Sequence, residues 1–175
     1  MSEKGFYEKG KEKGAWIYYY STGKIAENGN FLDGEKTGKW IWNYPSGRIR
    51  TMSNFVNGQQ TGEWISYFEN GRTELKTTYL NDEISGDWVC YFENGNTFQK
   101  TKYIEGKEIG PWIEYHPNGK TASKGNYSEG YKSGEWISYY ENGKTREKGA
   151  YVDGWESGGW IYYNYDGTVN EVKIF

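Results

Sequence analysis

Cysteine, histidine and proline are scarce in this chain, which has one cysteine (Cys90), one histidine (His116) and three prolines among 175 residues. A single cysteine excludes an internal disulfide framework. Hydrophobic residues make up only 35% of the sequence, and no long apolar run is present. We therefore expect no transmembrane segment, and the first residues do not resemble a secretion signal. These features predict a cytoplasmic protein.

The excess of one sign of charge is also small, since the formal net charge is only -3. Such a balance gives no global attraction to nucleic acid, which we do not expect as a partner, or to anionic lipid. Aromatic residues, by contrast, account for 19% of the chain, and there are 25 glycines. Burial must therefore come mainly from Tyr, Trp and Phe, and the composition is that of a folded protein.

The dominant pattern is Gly-x-Trp, which occurs seven times at an interval of 24 residues. A period of this size indicates a supersecondary unit that buries its apolar side by stacking on copies of itself. We therefore predict one repeat domain spanning residues 1–175, with partial strands at both ends. Its units start near Gly14, Gly38, Gly62, Gly86, Gly110, Gly134 and Gly158, and the tryptophans are Trp16, Trp40, Trp64, Trp88, Trp112, Trp136 and Trp160.

A single unit reads as a β-hairpin. After Gly62, the run Glu-Trp-Ile-Ser-Tyr-Phe is rich in aromatic and β-branched residues, which is typical of a half-buried strand. Glu69-Asn70-Gly71-Arg72 then indicates a turn, and a second strand follows over residues 73–80. The predicted fold is all-β, an elongated single-layer antiparallel meander of about seven such 24-residue hairpins.

Alternation along the second strand separates two faces. One carries a lysine row, and the other carries small residues such as Gly29 and Thr77 together with a recurring Phe or Tyr. A hairpin loop with an even number of residues places each tryptophan opposite a small residue, whereas a three-residue loop places it among the lysines. We favour the even loop, because a large ring can cover a glycine and a single-layer sheet needs one apolar face. The lysine row is Lys76, Lys100, Lys124 and Lys148.

The consensus Gly-x-Trp-x-x-Tyr-(Tyr/Phe)-x-Asn-Gly-Lys resembles the bacterial variant of the MORN repeat (membrane occupation and recognition nexus), most fully in residues 134–144. The resemblance covers nearly the whole chain and implies an elongated antiparallel repeat that acts as an interaction scaffold. Some eukaryotic relatives are associated with membranes and phosphoinositides, and bacterial variants are often described as antitoxin-like. Asp82 departs from the pattern, because other repeats have a connection glycine there.

No constellation for catalysis is apparent. His116 precedes a Pro-Asn-Gly turn, Cys90 occupies a variable column, and neither has an evident partner for nucleophilic or metal chemistry. The glycines are phased to turns and do not form a phosphate-binding loop that opens a helix. We therefore expect no enzyme, and no catalytic, cofactor or metal site.

The candidate binding surface consists of the seven tryptophans and the lysine row. We favour a non-enzymatic scaffold that presents a long aromatic face with basic and acidic margins to a protein partner, with an antitoxin-like role as one form of it. A membrane-surface adaptor that binds anionic lipid through the lysines is an alternative, as is a carbohydrate or cell-wall binding module. Lysines on an open sheet also have a purely structural use, because they discourage sheet-to-sheet association.

The last strand differs from the earlier ones, since Val172 and Ile174 lie in columns that are otherwise mostly polar. An unpaired apolar strand tends to pair with another chain. We therefore expect an edge contact at Val172, Ile174 and Phe175, either with a second copy of the chain or with a continuation of a longer protein.

Overall fold

The computed structural model describes residues 2–175, which contain sixteen β-strands and no helix. Neighbouring strands are antiparallel, and their order in the sheet follows the chain. The chain forms two compact units, of which one ends at Ser85 and the other begins at Gly86. The predicted all-β, single-layer antiparallel meander is confirmed.

Strands of the N-terminal unit are β1 (Ser2–Glu8), β2 (Lys11–Tyr19), β3 (Ile25–Leu32), β4 (Glu35–Asn43), β5 (Ile49–Val56), β6 (Gln59–Tyr67), β7 (Thr73–Leu80) and β8 (Glu83–Ile84). Strands of the C-terminal unit are β9 (Gly86–Tyr91), β10 (Thr97–Ile104), β11 (Lys107–Tyr115), β12 (Thr121–Ser128), β13 (Tyr131–Tyr139), β14 (Thr145–Val152), β15 (Trp155–Tyr163) and β16 (Val169–Ile174). Each repeat is a hairpin of two consecutive strands, such as β4 and β5.

The two strands of a repeat are joined by a three-residue loop. Between β4 and β5, the N–H of Tyr44 donates to the carbonyl of Arg48, and the N–H of Gly47 donates to the carbonyl of Tyr44, both at 2.8 Å. Gly47 has a φ of 93°, the left-handed conformation that completes this kind of hairpin loop. The prediction of a loop with an even number of residues is therefore wrong.

A β-bulge after the loop nevertheless restores the predicted face. In the pairing of β4 with β5, Trp42 faces Thr51 and Asn43 faces Ile49, so that Arg50 is an additional residue. An odd loop plus one extra strand residue has the same effect on side-chain alternation as an even loop. Each tryptophan consequently lies on the side of the small residues and not on that of the lysines.

Successive hairpins are joined by two-residue turns. Asn57 and Gly58, which connect β5 to β6, have φ values of 50° and 76°. Positive φ at both central residues is the signature of a type I′ turn, whose twist matches that of the flanking antiparallel strands. The short turns keep each hairpin directly beside the next one within a unit.

The glycine of the Gly-x-Trp motif forms a second bulge. Asn28 of β3 faces Ile41 of β4 and Asn30 faces Thr37, so residues 38–40 lie opposite Gly29 alone. Gly38 has a φ of 63°, which a residue without a Cβ adopts at little cost. The bulge directs the tryptophan two residues later onto the preceding strand, which explains the spacing of the motif.

Pairing is less regular where Asp82 replaces the connection glycine. Asn81 and Asp82 have φ values of 50° and 70°, so a residue with a side chain adopts the left-handed conformation there. The Asp82 carboxylate accepts a hydrogen bond from the N–H of Gln60 at 2.7 Å. The strand that follows, β8, is only two residues long and pairs with β7 outside the main strand order.

Candidate interaction faces

The strand register divides the surface of each unit into two faces with different chemistry. The aromatic face carries the tryptophans and the recurring Phe or Tyr column, and Trp16 there lies opposite Gly29. The lysine face carries the Ile or Val that follows each tryptophan together with the lysine row. Ile65 faces Lys76 across β6 and β7. The predicted separation of aromatic and lysine columns therefore holds in the register.

Four tryptophans of the aromatic face are buried, with exposed fractions of 1%, 0%, 5% and 4% for Trp16, Trp40, Trp136 and Trp160. Each of these rings covers a glycine: a Cβ added to Gly29 would stand 2.2 Å from the ring of Trp40. The glycines beneath the other three rings are Gly5, Gly125 and Gly149. These indoles form the core of their units and leave little ring surface for a ligand.

Trp64, Trp88 and Trp112 are only half-buried. In the middle of the chain the glycine column carries Ser53, Thr77 and Thr101, whose hydroxyl groups are buried without a hydrogen-bond partner among residues 2–175. A side chain at this position keeps an indole from lying directly on the backbone. We attribute the greater exposure of Trp64 and Trp112 to that change, so these rings retain aromatic area at the surface.

Phenol and carboxyl groups on the aromatic face are partly desolvated. Tyr103 of β10 faces Glu108 of β11. Burial, followed by the charge of Glu108, raises the pKa of the Tyr103 phenol to about 12. Burial is also the largest cause of the raised pKa of Glu108. Both shifts thus reflect removal from water beside the aromatic rows.

The lysine row is accessible on the opposite face. Lys76, Lys100 and Lys124 are exposed, and Lys148 is half-buried. The Lys76 ammonium forms an ion pair with Glu63 at 2.5 Å. Each lysine is paired with an Ile or a Val, so the aliphatic stems of the lysines can pack on apolar side chains while the charges stay in water.

Two shallow grooves follow this lysine face in the C-terminal unit. One has a volume of about 410 Å³ and includes Val89, Ile113 and Lys100 in its lining. The other has a volume of about 350 Å³ and includes Ile113, Ile137 and Lys124. Each combines a half-exposed apolar floor with both a lysine and an acid, which is Asp87 in the first groove and Glu135 in the second, and the two grooves share Ile113. The face therefore offers a row of similar apolar and cationic positions.

The C-terminal edge strand exposes apolar side chains. Val172, Ile174 and Phe175 have exposed fractions of 56%, 78% and 53%. The backbone N–H and carbonyl of Phe175 both bond to Gly158 at 3.0 Å, so the inner side of the strand is paired. Val172 lies opposite Ile161 and extends the lysine face to this edge.

The lone histidine and the lone cysteine have separate environments. His116 lies in a hairpin loop, and its Nε2 is 3.0 Å from the carbonyl of Tyr139 in the next repeat. Tyr140 makes the equivalent contact by donating its hydroxyl to Tyr163 at 2.7 Å, so His116 substitutes for a loop tyrosine. Cys90 is half-buried. Within residues 2–175, no group of three His, Cys, Asp or Glu side chains is arranged to hold a metal ion.

These loop hydrogen bonds between repeats are a feature that sequence reasoning missed. The signal was available, because Tyr20, Tyr44 and Tyr140 recur at one phase of the repeat. The hydroxyls of Tyr20 and Tyr44 donate to carbonyls 23 residues further on, as that of Tyr140 does.

Along residues 2–175 the structure has no helix that is long and apolar enough to cross a membrane.

Comparison with known families places the repeats in one group. The family model described as MORN repeat variant matches residues 12–33, 36–57, 60–81, 108–129 and 132–153. Each match spans one hairpin and ends at the first residue of the following two-residue turn. The unmatched interval between residues 81 and 108 contains Asp82 and β8. A search of curated proteins found no match to the chain.

Proposed function

Because the chain belongs to the MORN repeat variant family, we propose that it is a non-catalytic scaffold that binds another protein through its lysine face. MORN repeats are in general protein-binding or membrane-binding modules of a non-catalytic type. The observation that supports binding through this face is the row of half-exposed Ile and Val side chains beside Lys100, Lys124 and Lys148. An apolar centre surrounded by a polar rim is the usual composition of a protein interface.

The partner surface that fits this face is acidic with intervening apolar side chains. Equivalent positions recur every second strand, which corresponds to about 10 Å at a strand spacing of about 4.8 Å. Carboxylates at that spacing can meet successive lysines, while apolar groups between them contact Ile113 and Ile137. An antitoxin-like role, in which the bound protein is a toxin, is a narrower form of the proposal that rests on the family resemblance.

The test is affinity capture followed by calorimetry with a charge-reversed lysine row. Lys76, Lys100, Lys124 and Lys148 are changed to Glu in one variant and to Arg in the control, which keeps the charge at the same four positions. We expect the Arg variant to retain the partner and the Glu variant to bind it at least about tenfold more weakly, because charges at the interface turn from attractive to repulsive.

Equal binding by the Glu and Arg variants would contradict the use of this face. That result would favour binding through the aromatic face, where Trp64, Trp88 and Trp112 are half-exposed. A carbohydrate-binding role draws less support from the structure, because sugars stack on exposed rings and Trp16 and Trp40 are at most 1% exposed.

Anionic lipid is the second candidate ligand, and it is favoured by the exposure of Lys100 and Lys124 in one row of the C-terminal unit. Adjacent basic side chains attract an anionic membrane surface, and this attraction weakens with salt. We expect co-sedimentation with phosphatidylserine vesicles at low ionic strength if lipid is the ligand. Failure to bind them under these conditions would remove this candidate.

The C-terminal edge is proposed as a separate self-association contact through Val172, Ile174 and Phe175. Their exposed fractions exceed one half, so the strand presents apolar side chains that a second copy can contact. Light scattering at high protein concentration should show a dimer that an Ile174→Lys substitution dissociates. A monomeric mass at every concentration would contradict this contact.

A further inference from the structure

A pocket of about 300 Å³ lies beside the hairpin loops of the C-terminal unit. Glu114 of its lining follows Trp112 by two positions on β11, which places the pocket on the aromatic face. Arg146 in the lining is exposed, and the other members that matter here are half-buried, so the pocket is open to solvent. Those half-buried members are Phe92, Phe98, Glu114, His116 and Ala122.

The pocket lies where the fourth repeat has a large side chain and the fifth repeat has a small one. In the fourth repeat the extra residue of the bulge after the loop is Phe98, and its ring centroid is 5.0 Å from that of Phe92 in the loop. The equivalent residues of the fifth repeat are Ala122 and His116. A methyl group occupies far less space than a benzyl group. The bulge of the fifth repeat therefore leaves room for one aromatic ring.

An alanine in the bulge is not sufficient to open this space. The first repeat has Ala26 at the same position, and that residue is only 7% exposed. Ala122 is half-buried, which shows that its methyl group is less covered. The loop residue of the first repeat is Tyr20, which is longer than His116. We therefore attribute the pocket to a small bulge residue combined with a short loop residue.

The walls bring an aromatic ring, a guanidinium group and a carboxylate to the same cavity. Phe98 lines the side of the fourth repeat, and Arg146, the extra residue of the next bulge, lines the side of the sixth. Arg146 Nη2 donates to the Glu147 carboxylate at 3.0 Å, which anchors the guanidinium. A guanidinium plane and a phenyl ring both pack favourably on another aromatic ring. The Glu114 carboxylate adds an acceptor of hydrogen bonds.

Hydrogen bonds between three successive loops hold the rim of the pocket in place. The Nδ2 atoms of Asn94 and Asn96 donate to the carbonyl of Pro117 at 3.2 and 2.9 Å. His116 Nε2 is 3.0 Å from the carbonyl of Tyr139, and because a carbonyl can only accept, Nε2 is the donor. The lining is thus ordered without a ligand, which reduces the entropy lost on binding.

We propose that this pocket binds the phenol ring of a tyrosine side chain that belongs to a protein partner. The ring lies over Ala122 between Phe98 and Arg146, and its hydroxyl donates to the Glu114 carboxylate. The side chain enters from the loops, so the main chain of the partner stays outside. Because the lysine row is on the other face, this contact goes beyond the one proposed above and does not depend on it.

The first experiment compares N-acetyltyrosinamide with N-acetylphenylalaninamide, which lacks only the hydroxyl group. His116 is the single histidine, so its ring C–H signals in a proton–carbon correlation spectrum of the full chain report on this pocket. We expect the tyrosine amide to shift these signals saturably and the phenylalanine amide to bind at least about tenfold more weakly, because the charged acceptor loses its donor. Absence of a saturable shift, or equal binding of the two amides, would overturn the proposal.

A second experiment fills the pocket from within. Ala122→Phe reproduces the bulge residue of the fourth repeat, and the same column also accepts Arg146, so the fold should tolerate it. Its ring should weaken binding of the tyrosine amide at least about tenfold by occupying the ligand's place. Ala122→Ser is the matched control, which leaves the space open and should bind as the unsubstituted chain does. Unchanged binding in a folded Ala122→Phe variant would count against the site.

A third experiment removes the carboxylate and keeps the cavity. Glu114→Ser introduces the residue found in the same column at Ser66 and Ser138. A neutral hydroxyl is a weaker acceptor than a carboxylate, so the preference for the tyrosine amide over the phenylalanine amide should shrink. A preference of undiminished size would refute the hydrogen bond to Glu114.

Two further titrations separate this proposal from its alternatives. Free tyrosine should bind no more tightly than its blocked amide, since only the ring is recognised; tighter binding of the free amino acid would contradict a protein ligand. The variant with the lysine row changed to Glu should bind the tyrosine amide normally. A loss of binding there would show that the pocket is not independent of the lysine face.

Discussion

The residues with the smallest side chains determine how closely the largest ones pack. Gly29 does not have a left-handed backbone, so the demand for glycine there comes from the ring of Trp40 above it. The same column accepts Ser53, but the serine hydroxyl is buried without a partner among residues 2–175. Close contact between ring and backbone, and not turn formation, explains the glycine at this position.

Substitution of Gly29 by Ala should destabilise the N-terminal unit by about 1–3 kcal/mol, because the new methyl group would overpack the site. Its carbon would stand 2.2 Å from the Trp40 ring, which would have to move. Urea unfolding monitored by tryptophan fluorescence measures the change. Ser53→Ala is the matched control, with an expected effect below about 1 kcal/mol because the lost hydroxyl has no partner. Equal losses in the two variants would argue against this account.

Among the structural elements, the bulge at the start of each Gly-x-Trp motif depends on backbone conformation instead. Gly38 has a φ of 63°, and no atom lies within 4 Å of a Cβ built there. Space is therefore available for a side chain, whereas the left-handed backbone is unfavourable for one. Glycine is therefore needed at Gly29 for steric reasons and at Gly38, in the next repeat, for conformational reasons.

Replacement of Gly38 by Ala should cost about 1–2 kcal/mol from backbone strain alone. Gly38→Asn should cost less, because asparagine tolerates the left-handed region better than alanine does. Chemical denaturation of both variants gives the comparison. If alanine and asparagine were equivalent, the loss would have to arise from a source other than φ.

Element by element, the hairpins and their faces could be predicted from periodicity, whereas the path of the chain through the loops could not. The sequence indicated correctly that Trp40 shares a face with the small residues. It did not indicate that a three-residue loop is followed by an extra residue at Arg50, because a loop and a bulge that cancel leave the alternation unchanged.

The candidate site was less predictable for a related reason. Trp16 and Trp64 are equivalent in the repeat pattern, yet the first is buried and the second is half-buried. The difference depends on whether a glycine or a serine occupies the preceding strand, at Gly5 and Ser53. Such a contact joins positions in different repeats and is not visible within one repeat. That the tryptophans contact a ligand remains a prediction.

At the scale of the whole molecule, the reliance on tyrosine for burial makes stability sensitive to alkali. Burial raises the pKa of the phenols of Tyr79, Tyr103, Tyr127 and Tyr151, with Tyr103 reaching about 12. Between the unfolded value of 10.0 and the folded value, such a phenol is protonated in the native chain and ionised in the unfolded chain. Unfolding therefore releases protons, and stability falls as the pH rises.

We expect the free energy of unfolding to decline from about pH 10 to about pH 12, in step with the appearance of phenolate absorbance. Tyr103→Phe should make this decline shallower, because one phenol with a raised pKa is removed. Denaturation curves at a series of pH values measure both effects. A free energy of unfolding that is constant over this range would contradict the role of the buried phenols.

The two-residue and three-residue connections also bear on how quickly the chain reaches its native state. Sheets generally form slowly, because distant segments have to meet before their contacts contribute. Here each strand has its partner immediately before or after it, so the entropy lost in closing each loop is small. We expect low contact order, rapid folding for an all-β protein, and strand pairing that can propagate hairpin by hairpin as the polypeptide leaves the ribosome.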